Sequence, residues 1–546
     1  YNVALGALAN FSYVKGKNKL SFKNLFNQSF EDSYIDRSGY INQNTDIRFN
    51  SSELNEKSLL SSQLEGEHQL GSKNWKFDWN LNYALTTRDQ PDLRSIIYSK
   101  VQGSNEPFSM GDDVTRRFFS DLTENNYGGG ASLSIPFQVL EKKSNLKVGV
   151  MKQMRDRDFN SRTFLYGPAG SEFNAGKLIL PKEVIFNSEN IGTDGFVLDE
   201  ITNNPDSYEG TTDLNAGYLM LDNNLAEKFR LVWGVRVEDY TQSIKSLNNS
   251  GVRTNFEKSF FDVLPSFNLT YALTPKSNFR LSGSRTVSRP ELRELAPFVF
   301  INQEENVQIA GNPNLVRSQN TNADIRFETY PSAGEAFTFS LFYKNFDKPI
   351  EQITDGSATP DNLKFNYNNA DRAYSYGFEI DLRKKLSFIS DVPLLNNTTA
   401  FANFTYIKSQ VESSLAGFQK RALQGLSPYL INAGLQYTSA TGVSFNALYN
   451  RIGDRIAKVG NPNIPNMYER GRDVFDLQLS KRVLKNQGEF KLSVSDIFNQ
   501  SVVSYFNYGP NDKVYNRQDD VVYYGYKGGT NFTLGFSYNI NLKSNK

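Results

Sequence analysis

The sequence contains no cysteine and only one histidine among its 546 residues. Without cysteine, the chain forms no disulfide, binds no metal through thiolates and has no cysteine nucleophile. The single histidine, His68, follows Glu67, and one imidazole supplies neither a metal-ligand set nor a catalytic triad. We therefore expect His68 to play a structural part, and we expect no metal site and no cofactor.

The sequence also lacks an excess of charge and a long apolar run. Its formal net charge is +1 with 22% charged residues, so electrostatics gives no reason to expect a nucleic-acid partner. The mean hydropathy is -0.52, and no apolar run reaches the roughly 18 residues expected of a transmembrane helix. No linker rich in Pro, Gly or Ser interrupts the chain, which predicts a single domain over residues 1–546.

What the sequence does have is alternation of apolar and polar residues. In Asn531–Leu542 the apolar residues fall at every second position, which is the period of an extended strand with two unlike faces. The pattern recurs at a spacing of about 25 to 30 residues along most of the chain. Aromatic residues make up 13%, and membrane barrels concentrate such rings at both lipid interfaces. Together these features predict an all-β, antiparallel up-and-down barrel.

Short turns and long loops alternate between the predicted strands, so all long loops fall at one rim of the barrel. Clear short turns are Lys15–Asn18, Gly71–Asn74 and Ser439–Gly442, and a longer connection lies near Phe388–Asn397. This asymmetry is typical of outer-membrane barrels, which have short periplasmic turns and long external loops. The predicted long loops include Asp32–Thr45, Asp89–Asp113, Asn160–Ser207, Ser243–Asn255 and Ser288–Asn314.

Alternation alone does not say which face of the strands is outside. A soluble sandwich buries the apolar face, whereas a membrane barrel turns it towards lipid. Predicted strands such as Asp262–Leu273 and Tyr374–Lys385 exceed the about 5 to 6 residues usual in globular proteins. Their length favours the transmembrane barrel over a soluble all-β carbohydrate-binding protein.

The pattern gives about 19 strands. With an odd number, the first and last strands run in the same direction, and bacterial single-chain barrels close with an even number. We therefore expect the barrel to be incomplete at its N-terminal end. We also expect Asn531–Leu542 to pair with a neighbour on one side only.

Four stretches carry a resemblance to a known family. Ser282–Leu295 reads SGSRTVSRPELREL, and Gly311–Leu315 reads GNPNL; near the C-terminus, Leu492–Asn499 and Tyr523–Leu542 look like the family's last two strands. In this combination and order, the chain resembles the TonB-dependent outer-membrane receptors, particularly the type common in Bacteroidetes. The resemblance covers the whole chain.

The resemblance implies a barrel of 22 strands with a plug inside it. About three strands and the plug domain would then be absent from this sequence, and no segment matches the short plug motif that engages TonB. The implied partners are outer-membrane lipid, the protein's own plug, TonB, a small-molecule ligand of unknown identity and other envelope proteins. The implied location is the bacterial outer membrane.

Candidate ligand-facing residues fall in one long loop and one strand. Arg155 and Arg157 alternate with acids at the start of the predicted loop Asn160–Ser207, which is long enough to be functional. Its aromatic residues are the best candidates for ligand capture. Arg236 and Glu238 lie on the polar face of a strand, where pairing with each other or with a plug is the alternative. The complete set is Arg155, Arg157, Phe164, Tyr166, Phe173, Arg236 and Glu238.

The sequence contains no paired carboxylates on a common scaffold and no nucleophile motif, so we expect no enzyme. The leading hypothesis is a TonB-dependent outer-membrane transporter that captures and imports a scarce nutrient such as a siderophore, a cofactor or an oligosaccharide. The alternative is a receptor-like barrel that serves as a scaffold subunit of a larger outer-membrane complex. The scaffold itself does not identify the ligand.

Overall fold

The computed structural model describes residues 1–41, 44–139, 141–302, 305, 307–359, 362–414, 420–509 and 515–539. Nearly all of its regular structure is β. The strands are β1 (Asn2–Lys15), β2 (Asn18–Ile41), β3 (Thr45–Leu70), β4 (Trp75–Val101), β5 (Ser109–Val139), β6 (Lys142–Pro168), β7 (Phe196–Glu200), β8 (Tyr208–Asn224), β9 (Phe229–Leu247), β10 (Arg253–Thr274), β11 (Ser277–Ser288), β12 (Val299–Asn302), β13 (Val307–Ala310), β14 (Ser318–Thr329), β15 (Ala336–Asp347), β16 (Ile350–Thr354), β17 (Lys364–Asn369), β18 (Arg372–Lys385), β19 (Thr398–Glu412), β20 (Tyr429–Thr438), β21 (Val443–Ile452), β22 (Arg455–Lys458), β23 (Met467–Glu469), β24 (Arg472–Val483), β25 (Gly488–Ser495), β26 (Val502–Phe506), β27 (Val521–Tyr526) and β28 (Asn531–Tyr538).

Helical structure is limited to short segments between strands. The α-helices are α1 (Leu292–Leu295) and α2 (Pro393–Asn396), and the 3-10 helices are Ala175–Ile179, Ser188–Asn190, Asn204–Asp206, Leu386–Phe388 and Leu484–Asn486. Across the described ranges, no helix is long and apolar enough to cross a membrane.

The largest sheet has 20 strands. One of them, β7, pairs within the described ranges only with the end of β6, which leaves 19 strands in a continuous wall, as the sequence predicts. Neighbouring wall strands are antiparallel and follow the order of the chain, for example β1 with β2, β9 with β10 and β25 with β28. Short turns lie at one end of the wall, here called the turn rim, and long connections lie at the other, here called the loop rim.

The side chains of β9 and β10 show which face of the wall is outside. The two strands pair without interruption from Arg253 opposite Leu247 to Tyr271 opposite Phe229. On one face Trp233 and Val235 are exposed, whereas on the other face Glu238 and Asp262 are buried. An apolar face that is open to the surroundings and a polar face that is enclosed are the reverse of a soluble sandwich. The wall is therefore a transmembrane barrel wall with its apolar face towards lipid.

Aromatic rings gather on this outer face next to the turn rim. Rings on neighbouring strands pair there, with centroid distances of 4.6 Å for Phe229 and Tyr271, 5.0 Å for Phe279 and Phe327, and 4.7 Å for Phe490 and Phe536. His68 belongs to the same region, because its Nε2 accepts a hydrogen bond of 3.0 Å from the indole of Trp79. Amphipathic rings are favoured at a membrane interface, so these side chains form a lower aromatic belt.

The first and last wall strands are the edges of the sheet. Within the described residues, β1 pairs with β2 alone and β28 pairs with β25 alone. Both edge strands run towards the turn rim, so they cannot form an antiparallel pair. This confirms the expected one-sided pairing for Asn531–Tyr538; the last residues of the predicted strand, 540–542, lie outside the described part of the chain.

Several predicted loops are in fact strands that continue beyond the membrane. The structure shows strands up to Ile41, Val101, Pro168 and Leu247, so the predicted loops at Asp32–Thr45, Asp89–Asp113, Asn160–Ser207 and Ser243–Asn255 are too long. The cause is that both faces of these extensions meet water or other loops, so polar residues occupy both faces and the alternation that marks a strand in lipid disappears.

Connections in the C-terminal half assemble into two small sheets at the loop rim. One rim sheet contains β12, β13, β17 and β16, and the other contains β22, β23, β26 and β27. A parallel bridge between Ile353 and Val459 joins the two rim sheets. The largest clusters of buried apolar side chains lie here, around Leu292, Leu315 and Phe365, so the packed core of the protein is at the loop rim.

Candidate functional site

A large cavity opens at the loop rim between the upper ends of β2–β6 and the connections of the C-terminal half. Its volume is about 2480 Å³, larger than the roughly 300 to 1,000 Å³ of most small-molecule sites. The connection between β11 and β14 supplies part of the wall, and β27 supplies another part. The cavity is therefore built from residues far apart in sequence.

Aromatic side chains dominate the apolar part of the cavity wall. They come from the upper ends of β5, β6 and β8, from β12 and the residue before it, and from the hairpin of β26 and β27. Flat rings in this number suit a ligand that presents aromatic or sugar-ring faces. The rings are Phe118, Phe159, Tyr208, Phe298, Phe300, Phe506, Tyr508, Tyr523, Tyr524 and Tyr526.

The charges in the cavity wall balance in number. The cationic residues are Arg37, Arg88, Arg116, Arg157 and Arg293, and the acidic residues are Glu31, Asp36, Glu53, Asp206 and Asp519. Because the formal charges cancel, recognition of a charged ligand depends on which individual groups already have partners.

Most of these arginines are engaged, and Arg293 differs from them. Arg157 donates to Glu124 over 2.7 Å, and Arg88 lies 3.7 Å from Glu53. The guanidinium of Arg293 instead lies over the ring of Phe300, 3.3 Å from its centroid, and no carboxylate in the described part of the chain pairs with it. The side chain of Arg293 is exposed towards the cavity, and desolvation by the surrounding wall lowers its pKa. Arginine titrates so far above neutrality that the side chain keeps its charge.

The GNPNL segment fixes the position of Arg293. Asn312 donates its backbone N–H to the carbonyl of Glu294 over 2.6 Å, and its side-chain amide donates to the carbonyl of Tyr367 over 2.9 Å. At Gly311 a Cβ atom would lie 1.9 Å from the carbonyl oxygen of Ala296, so glycine permits the close approach of this segment to α1. The motif noticed in the sequence is thus the support of the helix that carries Arg293.

An ionic network ties the same connection to the barrel wall. Asp262, which is 1% exposed, accepts hydrogen bonds from Nε of Arg317 over 2.6 Å and from Nη2 of Arg289 over 3.3 Å. Arg289 also donates to Glu238 over 2.6 Å, and Glu238 accepts a second bond of 2.6 Å from Arg236. Both ends of the connection between β11 and β14 are therefore anchored to β9 and β10.

The predicted residues Arg236 and Glu238 belong to this network. They pair with each other, which was one of the two arrangements expected from the sequence. Arg236 also lines a smaller cavity of about 530 Å³ on the inner face of the wall, beside Gly128 and Gly130. Their proposed contact with a ligand stays a prediction.

The predicted residues Arg155 and Arg157 lie within strand β6 and not at the start of a loop. Arg157 lines the cavity. Arg155 lies 3.6 Å from Glu291, just before α1, and 4.0 Å from Glu124. Of the pair, Arg157 is thus placed where a ligand could reach it.

The predicted aromatic residues lie on the other side of the wall. Phe164 and Tyr166 are also part of β6 and share strand parity with the exposed Val150, which places them on the outer face. Tyr166 stacks on Phe186 with a centroid distance of 3.7 Å, and Phe173 packs against Phe196. The connection that follows β6 therefore folds against the outside of the extended wall, and its role in ligand capture stays a prediction.

Titration of several groups at the loop rim is shifted by their surroundings. Burial, with Glu183 acting in the same direction, raises the pKa of Tyr98 to about 12, and its hydroxyl donates to the carbonyl of Leu180 over 2.8 Å. Burial also raises the pKa of Asp206 above its usual value. Lys348 and then Ser414 hold the pKa of Asp371 at about 2.

The important cavity residues were not all visible in the sequence. Arg293 lies inside the SRPELREL stretch, so the motif marked the right segment, but it gave no sign that this arginine would have no acidic partner among the residues that the structure describes. Tyr523 and Tyr524 lie in the stretch Tyr523–Leu542, which the resemblance assigns to the last strand, but a separate hairpin of β26 and β27 places them at the cavity. The described residues contain no group of three or more His, Asp or Glu side chains arranged to hold a metal ion.

The fold and the cavity define a class: a large transmembrane β-barrel with a ligand-sized chamber at its loop rim. The model of the family described as TonB dependent receptor-like, beta-barrel, matches residues 4–499, and the chain belongs to this family of outer-membrane receptors. The match confirms the resemblance at the level of the family. No curated protein matches the sequence.

Solved structures of the same fold include three receptors. The pyoverdine outer membrane receptor FpvA from Pseudomonas aeruginosa is 13% identical with a TM-score of 0.60, and the alignment covers 98% of this chain and 77% of that one. The ferric-catecholate import receptor Fiu from E. coli is 14% identical with a TM-score of 0.54, covering 98% and 81%. The siderophore receptor PiuA from Acinetobacter baumannii is 11% identical with a TM-score of 0.54, also covering 98% and 81%. At these identities the similarity shows the fold.

Proposed function

We propose that this chain forms the wall and the ligand-binding mouth of a TonB-dependent outer-membrane transporter for an anionic metal chelate of the siderophore type. The lipid-facing strands anchor the protein, and the loop-rim cavity captures the chelate. A plug of the same protein, coupled to TonB, opens the passage through the barrel. The plug and the strands that would complete the barrel remain predictions, as does the Bacteroidetes type.

The observation that carries this proposal is the charge of Arg293 in a chamber of aromatic rings. A cation that is fixed by α1 and flanked by Phe300, and that no carboxylate of the described residues pairs with, is preorganised for an anionic group of a ligand. Hydrogen bonds to charged groups contribute about 1.5 to 3 kcal/mol. The rings supply contact area for the organic part of a chelate, and the names of FpvA, Fiu and PiuA associate similar barrels with such ligands.

The test is binding of defined probes to the full-length protein. Isothermal titration in detergent with ferric catecholate and ferric citrate complexes gives the affinity, and uptake of radioactive iron by iron-starved cells with and without TonB gives transport. We expect TonB-dependent uptake of at least one complex. We expect Arg293→Gln to weaken its binding by about 10-fold or more.

Arg253→Gln is the matched control, since Arg253 is an exposed loop-rim arginine that pairs with Glu209 at 3.3 Å outside the cavity. Its affinity should equal that of the wild type. If a neutral oligosaccharide binds with the same affinity to the wild type and to Arg293→Gln, the ligand is a carbohydrate and not an anionic chelate. If no probe binds and no uptake occurs, the scaffold alternative is the better account.

A further inference from the structure

One connection at the turn rim is unlike all the others. Residues 386–397 join β18 to β19 through a 3-10 helix at Leu386–Phe388 and the helix α2. Four large apolar side chains in this segment are exposed: Phe388 by 66%, Ile389 by 60%, Val392 by 42% and Leu394 by 62%. The segment, called here the apolar turn, contains a single charged residue, Asp391.

In the described part of the chain, the other short connections of the turn rim are mostly polar. Gly71–Asn74 and Ser439–Gly442 expose no large apolar side chain, and the connections at 225–228, 330–335 and 484–487 expose one each among their described residues, Leu225, Tyr330 and Leu484. Among the described residues of the turn rim, a run of exposed apolar side chains is therefore found in the apolar turn and is not a general property of this rim.

The apolar turn is held in a defined shape. The backbone N–H groups of Asn396 and Asn397 donate to the carbonyls of Val392 and Pro393 over 3.0 and 3.2 Å. The hydroxyl of Thr398 donates to the carbonyl of Leu394 over 2.7 Å. Because the polar backbone groups bond within the turn, the apolar side chains are left pointing outwards as an ordered patch.

This patch continues the lipid-facing surface of the wall. Leu382, on the outer face of β18, is 40% exposed and lies opposite Phe337 on β15, next to the lower aromatic belt. Lys384 has the same strand parity as Leu382, and its Nζ lies 5.8 Å from the ring of Phe388. The apolar turn thus begins where the belt ends, on the same side of the wall.

We infer that the apolar turn is a lipid anchor that inserts Phe388, Ile389, Val392 and Leu394 into the boundary between headgroups and acyl chains of the periplasmic leaflet. Continuity with the lipid-facing belt determines the occupant, because a surface that joins the membrane face at the interface meets lipid first. The ammonium group of Lys384 pairs with Glu335 at 3.0 Å, so the four apolar side chains carry the contact with lipid. The anchor fixes the barrel's depth on the β18 and β19 side, independently of the transported ligand.

These 546 residues contain no cysteine, so a cysteine introduced into them is a unique label once any cysteine elsewhere in the full-length protein has been replaced by serine. Single-cysteine variants Phe388→Cys and Leu394→Cys of the full-length protein are labelled with an environment-sensitive fluorophore. They are placed in nanodiscs of phosphatidylethanolamine and phosphatidylglycerol, which leave both membrane faces open to buffer. Leu382→Cys is the lipid-facing control and Ala440→Cys, in the polar turn Ser439–Gly442, is the water-facing control. Heat-modifiable gel mobility shows for each variant that the barrel has folded.

We expect lipids that carry a spin label near the headgroup to quench the fluorophores at positions 388 and 394. This quenching should be at least as strong as the quenching of the fluorophore in Leu382→Cys. We expect aqueous iodide to quench them several-fold less than the Ala440→Cys label. Quenching by iodide at the level of the Ala440→Cys label would overturn the anchor. Protection from both quenchers would overturn it as well, since it would mean that protein and not lipid covers the turn.

Discussion

The carboxylate of Asp262 in the barrel wall accepts a hydrogen bond of 2.6 Å from Nε of Arg317, a residue 55 positions further along the chain. The same carboxylate also accepts a hydrogen bond from Arg289, at the other end of the connection between β11 and β14. One buried acid therefore holds both ends of the segment that carries α1 and Arg293. The geometry of the cavity therefore depends on the charge of Asp262, a residue that is not part of the cavity wall.

Replacing this acid should loosen the whole connection. Asp262→Asn leaves Arg289 and Arg317 without their shared anion, and breaking a buried ion pair from one side costs about 3 to 5 kcal/mol. We expect a lower temperature for loss of the fast-migrating folded band on gels. Asp213→Asn is the control, because Asp213 is 41% exposed and pairs with Lys152 at the surface, where a pair contributes less than about 1 kcal/mol. Equal effects of the two substitutions would contradict the anchoring role of Asp262.

Gly311 offers a second way to displace Arg293. In Gly311→Ala the new Cβ atom would lie 1.9 Å from the carbonyl oxygen of Ala296, so the GNPNL segment and α1 must move apart. Overpacking of this kind costs about 1 to 3 kcal/mol. We expect weaker binding of ferric chelates together with reduced thermal stability.

The matched substitution for this comparison is Gly356→Ala. Gly356 has no atom within 4 Å of its virtual Cβ and lies in another connection of the loop rim, so its variant should bind and unfold like the wild type. Wild-type behaviour of Gly311→Ala in both measurements would show that the close approach to Ala296 does not determine the cavity.

Acidification should loosen the loop rim at Asp371. Its folded-state pKa of about 2 is below the ordinary aspartate value of about 3.9, so its stabilising contribution is present above about pH 4 and is lost as the pH falls towards 2. Pepsin, which is active in this range, should cleave the segment around Asp371 and Ser414 increasingly fast relative to a reference peptide. In Asp371→Asn this extra dependence on pH should be absent, and its persistence would assign the effect to another group.

Much of the barrel wall could be predicted from the sequence, because a strand in lipid must alternate. Trp233 and Val235 on one face and Arg236 and Glu238 on the other carry that signal directly. The upper strands could not be recognised in the same way. Above the membrane, Arg155 and Arg157 alternate with acids, both faces are polar, and such a pattern is also typical of a loop.

The site was less predictable than the wall. Strand parity counted onwards from Val150 places Phe164 and Tyr166 on the outer face, but that inference requires knowing that β6 continues as far as Pro168. The role of Arg293 depends on Phe300, on Gly311 and on the absence of an acidic partner in the described chain. Those are tertiary relationships, and no spacing within the motif encodes them.

The tryptophans provide a test of the membrane boundary itself. The sequence has three, at positions 75, 79 and 233, all in strands that leave the turn rim. Trp79 lies opposite Ala131, which lies opposite the exposed Val150, so Trp79 shares the lipid-facing side of the wall with Trp233. We expect bromine placed near the headgroup end of lipid chains to quench the intrinsic emission more strongly than bromine at the chain ends, and aqueous acrylamide to quench it weakly. A tryptophan introduced by Tyr508→Trp, at an exposed position of the loop rim, should add emission that acrylamide removes. Strong acrylamide quenching of the three native tryptophans would place the lower aromatic belt in water and overturn the assignment of the outer face.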